Sequence, residues 1–227
     1  MIIGKKPTNE ERKKIKAFVD KNIHIYPDYL QQEIQEKIYL GFTNNNDIIN
    51  QIYCYLNIED SHLNPYKAYI EIINNRLNVS NKKILEVGSG VIPILGNMLT
   101  EEGNNKVTII DPLTNKKFVK NKTMLINENF DEETNISSYD IIIGYNPCRP
   151  TEQIIKKSIN EKKDFSVATC GCCFLPKEYT ERTPSNWHEY LINIAKKEGG
   201  DKYEIYVEYL PEIYMIEYPI ISGKYIK

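Results

Sequence analysis

Lys82-Lys83-Ile84-Leu85-Glu86-Val87-Gly88-Ser89-Gly90 and, one helix further on, Val107-Thr108-Ile109-Ile110-Asp111 decide the fold. Each begins as a short apolar run, which reads as a buried strand, and each run closes on an acid. The first then turns on two glycines. An open α/β sheet builds a nucleoside-sized pocket in this way, at the carboxyl ends of its first two strands.

Gly88 and Gly90 let the backbone turn sharply and come close to a ligand. A dinucleotide loop wants a third small residue near position 93, so that the helix packs on the strand. Pro93 stands there instead. Glu86, just before the turn, would repel a pyrophosphate and attract a cationic amino group. Asp111 can accept hydrogen bonds from both hydroxyls of a ribose, with Pro112 beside it. Asn127, Glu128 and Asn129 follow the third apolar run and can meet an adenine edge; a plain solvated loop is the alternative. An amino acid, a ribose and an adenine without a phosphate make up S-adenosyl-L-methionine. The alternative for the glycine turn is an ordinary strand–helix connection.

The rest of the chain suits such a sheet. Residues 1–79 read as helices only. Thr8-Asn9-Glu10-Glu11 resembles a capping box opening a helix to about Asp20. A second helix spans residues 28–40 and ends before Gly41. Ile48, Ile49, Ile52, Tyr53 and Leu56 recur at helical spacing in a third, and Pro65 sits in the first turn of a fourth. From residue 80 strands and helices alternate. Strands are expected at 84–87, 107–110, 123–126, 139–145 and 165–169; helices at 92–100 and 151–160, and from a Ser185 cap to Lys197. Residues 203–210 and 213–221 read as an antiparallel hairpin around Pro211-Glu212. The implied class is α/β: a mostly parallel Rossmann-like sheet with a C-terminal hairpin, preceded by a helical segment. The expected division is a helical segment at 1–79 packing on a catalytic domain at 80–227.

Over residues 80–227 the chain resembles the class I S-adenosylmethionine-dependent methyltransferases. Glu86-Val87-Gly88-Ser89-Gly90 matches their first motif, and Asp111 matches their ribose-binding acid. The resemblance implies a seven-stranded sheet with helices on both faces and antiparallel sixth and seventh strands. It implies S-adenosyl-L-methionine as cofactor, held by Glu86, Gly88, Ser89, Gly90, Asp111, Pro112, Asn127, Glu128 and Asn146.

Tyr139-Asp140-Ile141-Ile142-Ile143-Gly144-Tyr145-Asn146-Pro147-Cys148 is the second informative stretch. In the family order it is the fourth strand, ending beside the first and against the methyl donor. The Asn146 carbonyl and the rigid Pro147 backbone can accept hydrogen bonds from an amino group and orient its lone pair. The stretch resembles in part the Asn-Pro-Pro-Tyr motif of amino-methyltransferases, with Cys148 and Arg149 in place of the last two residues. It also resembles a broader methyltransferase group that includes transfer-RNA ribose methyltransferases, in which strand four carries a Cys-Gly motif and strand five ends near a Cys-Cys pair. A plain turn after a core strand is the alternative. Asn146 and Pro147 are thus the expected catalytic pair, with His188 as a base if the acceptor is a hydroxyl or thiol.

Cys148, Cys170, Cys172 and Cys173 can converge where strands four and five are neighbours, and four thiolates suit zinc. The spacing lacks paired Cys-x-x-Cys knuckles, so no metal is assigned. The five cysteines do not form a secreted disulfide framework, and a reduced cytoplasmic protein is expected. A formal charge of −2 disfavours a dedicated nucleic-acid binder. Lys5, Lys6, Arg12, Lys13, Lys14 and Lys16 read as a solvated helix face. No run reaches the ~20 apolar residues of a membrane helix. The expected partner is a small-molecule or protein acceptor. An RNA methyltransferase, a non-catalytic cofactor-binding module and, more distantly, a nicotinamide-dependent oxidoreductase are the other readings.

Overall fold

The computed structural model describes residues 8–40, 47–57, 64–172, 174–211 and 218–226. Expectations that touch Lys5, Lys6, Gly41, Glu212, Ile213 or Cys173 lie outside them. Four helices come first: α1 (Asn9–Asn22), α2 (Asp28–Leu40), α3 (Asp47–Tyr55) and α4 (Pro65–Leu77). Then follow β1 (Lys83–Val87), α5 (Ile94–Glu101), β2 (Lys106–Ile110), β3 (Met124–Ile126), β4 (Ile141–Tyr145), α6 (Thr151–Asn160), β5 (Asp164–Ala168), α7 (Pro184–Gly199), β6 (Tyr203–Tyr209) and β7 (Pro219–Tyr225).

The helix starts obey local rules. Thr8 and Glu11 form a reciprocal capping box on α1, and Pro65 takes the first helical position of α4 behind the Asn64 cap. Helix α7 starts earlier than the sequence reading has it. Thr183 caps it by accepting from the Asn186 N–H, because Pro184 is preorganised for the first helical position.

The strand order is β3-β2-β1-β4-β5-β7-β6, with β7 antiparallel to both neighbours and the rest parallel. The hairpin is present, but β7 begins at Pro219 and runs past Ile221 to Tyr225. Gly223 allows the extension: a Cβ there would overlap the Phe165 ring of β5, which covers the strand at that point.

Alternation along each strand makes two cores. Ile84, Ile109, Ile141 and Ile143 pack with Phe18, Ile34, Ile52, Ile73 and Leu95 from α1 to α5. Leu85, Val87, Ile142, Phe165 and Val167 pack with Ile154, Ile155, Trp187 and Leu191 from α6 and α7. The first four helices therefore share one core with the sheet. Burying each such side chain contributes about 1.5–3 kcal/mol.

Tyr69 pins this contact with a polar bond. It is fully buried, and its hydroxyl lies 2.9 Å from Ser166 Oγ and 3.0 Å from the Ser166 carbonyl. Ser166 Oγ is in turn 2.8 Å from Ser222 Oγ on β7. Tyr66 and Tyr69 both pack on the Tyr145 ring at the end of β4, at 4.7 and 5.5 Å between centroids. These aromatics are core residues.

Tyr69→Phe should lower unfolding free energy by about 1 kcal/mol in a urea titration, because it leaves the Ser166 carbonyl short of a donor. An unchanged midpoint and slope would show that this hydroxyl does not hold α4 to the sheet.

Candidate functional site

In this strand order the chain reverses direction between β1 and β4. Ligand crevices of open α/β sheets lie at such a reversal, outside the carboxyl ends of the strands. Here that edge carries the Gly88-Ser89-Gly90 turn after β1, Asp111 after β2, Asn127 after β3 and Asn146-Pro147 after β4.

The two sides of the crevice touch. Gly88 has φ +75°, and a Cβ on it would stand 2.8 Å from Pro147 Cα. A Cβ on Gly144 would stand 2.8 Å from Pro147 Cγ. Two glycines thus make the space in which Pro147 seats. Asn146 and Cys148 on either side of it adopt left-handed backbone, at φ 51° and 59°. Such conformations cost of order 1–3 kcal/mol for residues other than glycine and cluster at functional sites. The turn is held by the Asn146 N–H to the Ala168 carbonyl and by the Thr151 hydroxyl to the Cys148 carbonyl.

The two acids behave differently. Asp111 is buried, and each carboxylate oxygen accepts one backbone hydrogen: Oδ2 from the Gly90 N–H at 2.9 Å and Oδ1 from the Leu113 N–H at 2.6 Å. A carboxylate has about four acceptor positions, so each oxygen keeps one for a ligand hydroxyl. Glu86 instead turns beneath α5. It is 2% exposed, Oε2 has no hydrogen-bond partner, and a Cβ on Gly96 would overlap that oxygen. Burial, reinforced by the charge of Asp111, pushes the Glu86 carboxyl up to about 8, although the Gly96 N–H pulls the other way. Glu86 thus sits under the first turn of α5 rather than out over the glycines, where burial favours its protonated form.

Ser89 Oγ is 2.6 Å from Thr114 Oγ1, which donates to the Gly90 carbonyl. Asn127 folds back, its amide donating to the carbonyls of Thr114 and Asp111. Pro112 and Glu128 are exposed at the rim. His188 is buried away from the glycine turn. Its Nε2 lies 2.9 Å from the Cys170 carbonyl, which can only accept, so that nitrogen carries the hydrogen. His188 braces the loop after β5.

Gln51 on α3 escaped the sequence reading. Its amide donates to the Ser89 carbonyl at 3.2 Å, and a Cβ on Gly90 would stand 2.8 Å from its Nε2. It occupies the apolar stripe of Ile48 and Ile52, and a polar residue on such a stripe is the signal that marks it.

No protein-family model and no curated protein matches the chain. Among solved structures the chain is similar to several S-adenosylmethionine-dependent methyltransferases and related proteins. One is magnesium protoporphyrin IX methyltransferase from Synechocystis with bound SAM, at 13% identity, covering 93% of this chain and 95% of that one, with a TM-score of 0.48. MtNAS in complex with MTA and tNA shares 11% identity over 94% of this chain and 71% of that one, with a TM-score of 0.48. A methyltransferase from Pyrococcus furiosus shares 16% identity over 71% and 82%, with a TM-score of 0.45.

The environment of Glu86 makes stability depend on pH. An acid held above its ordinary value binds its proton more tightly in the folded than in the unfolded chain. Its contribution is complete below about 4.5 and is lost as pH rises through about 8. Urea unfolding at pH 5, 7 and 9 should show the wild type falling relative to Glu86→Gln as pH rises. A gap between the two that does not change with pH would mean that this carboxyl is ionised or solvated in the fold.

Proposed function

We propose that the chain is an S-adenosylmethionine-dependent methyltransferase acting on a nitrogen of a small molecule or protein. The observation that carries this reading is the edge where the strand order reverses: Asp111 after β2 accepts from the Gly90 N–H of the turn after β1, and Gly88 of that turn packs against Pro147 after β4. A ribose hydroxyl pair would take the free acceptor positions of Asp111. Asn127 and Glu128 would border the adenine, and the amino-acid end would meet the Gly88-Gly90 backbone and Gln51.

The first turn of α5 argues against a pyrophosphate. Such a group rests on free N–H donors at this helix start. Pro93 supplies no N–H, and the Glu86 carboxyl lies directly under the turn. A phosphate-free nucleoside suits these residues better than a dinucleotide.

S-adenosylmethionine, when bound, supplies an electrophilic methyl group on sulfur. The chain's own residues align the acceptor and exclude water. The Asn146 side-chain carbonyl and the Pro147 backbone carbonyl would accept hydrogen bonds from an amine or amide nitrogen, directing its lone pair at the methyl carbon. With the lone pair so directed, the chain need supply no base at this turn, because the acceptor nitrogen would give up its proton to solvent. His188, whose Nε2–H is given to the Cys170 carbonyl, is assigned the bracing of the loop after β5 rather than a role in this step. Among the described residues Cys54, Cys148, Cys170 and Cys172 form no disulfide, which suits a reducing cytoplasm. No helix of the described residues is long and apolar enough to cross a membrane.

Calorimetry should show binding of S-adenosylmethionine and S-adenosylhomocysteine but not of NAD. Asp111→Ala should weaken both by about 10- to 100-fold, the loss expected for hydrogen bonds to a charged group. Tight NAD binding without response to either sulfur compound would sink the reading.

A further inference from the structure

Three cysteines distant in sequence meet beside the Asn146-Pro147 turn. Cys148 follows β4, and Cys170 and Cys172 follow β5; the pairing of these two strands places both loops at one edge. The three Sγ atoms lie within 4.8 Å of one another, with Cys148 and Cys172 at 4.0 Å. A tetrahedral zinc ion with Zn–S bonds of about 2.3 Å sets its sulfurs about 3.8 Å apart, so sub-ångström shifts would close the set.

Packing does not account for the cluster. Buried cysteines serve as small apolar residues, but only Cys170 is buried here; Cys148 is half-buried and Cys172 exposed. Both loops are braced. Thr151 holds the Cys148 carbonyl and His188 the Cys170 carbonyl. Gly171, between the other two cysteines, has the Tyr218 hydroxyl packed where a Cβ would be. A preorganised trio of soft ligands selects a thiophilic ion over magnesium or calcium.

We propose that Cys148, Cys170 and Cys172 form a three-thiolate zinc site. Among the described residues no fourth side chain joins the set, which leaves a position for solvent or for a donor atom of a bound molecule, the arrangement of sites that bind an exogenous ligand. The site stands apart from the methyl-transfer reading and is tested without any cofactor.

Metal-free, fully reduced protein is titrated with cobalt(II) and then zinc(II). One equivalent of cobalt should bind with the intense near-ultraviolet thiolate-to-cobalt absorption, and zinc should displace it. Cys172→Ser and Cys148→Ser should each weaken zinc binding by about 100-fold, whereas Cys54→Ser should leave it unchanged. Cys172 is exposed, so its variant keeps the fold, and far-ultraviolet circular dichroism checks this. Cobalt uptake without thiolate absorption, or equal zinc affinity in wild type and both loop variants, would overturn the site. So would a thiol titration showing a Cys148–Cys172 disulfide in protein that takes up no metal.

Discussion

The seating of Pro147 against Gly88 and Gly144 is the constraint on which the rest of the edge depends. It fixes how closely the loop after β4 approaches the turn after β1, and so sets the width of the crevice. A side chain at either glycine would drive Pro147 outward. Asn146 and Cys148 would move with it, since both hold left-handed backbone around the proline. One small contact therefore governs the proposed acceptor pair and one of the three clustered thiols. The helical segment reinforces it: Tyr66 and Tyr69 clamp the Tyr145 ring, one residue before the turn.

Two neighbouring acids take different roles because their surroundings differ. Asp111 accepts the backbone N–H groups of Gly90 and Leu113 and keeps further acceptor positions. Glu86 is sealed under α5 without a full set of partners, and the charge of Asp111 discourages its ionisation. The two carboxyl groups therefore meet different surroundings although they lie at the ends of neighbouring strands. Glu86 fills the space under the start of α5 that Gly96 leaves, and Asp111 is the acid proposed to meet the ligand.

Much of the architecture was legible in the chain. Glu86-x-Gly88-x-Gly90 and Asp111 mark the ends of β1 and β2 because strand, acid and turn are adjacent in sequence. Thr8-Glu11 and Pro65 mark helix starts for the same reason. Errors came where a distant partner decides. Gly223 extends β7 because Phe165 lies across it, and residue spacing does not show this. The orientation of Glu86 depends on the missing side chain at Gly96, ten positions later. Gln51 acquires its place only when α3 folds over the glycine turn. The convergence of Cys148 with Cys170 and Cys172, by contrast, follows from the expected pairing of β4 with β5. Thr183 rather than Ser185 caps α7 because it directly precedes Pro184, which is preorganised for the first helical position.

The most direct test of the account is a crystal structure of the protein with S-adenosylhomocysteine. The account predicts the ribose hydroxyls on Asp111, the adenine beside Asn127, and the sulfur facing Asn146 and Pro147 across the Gly88 turn. Density for the nucleoside anywhere other than the crevice between β1 and β4, or a ribose that does not touch Asp111, would contradict it.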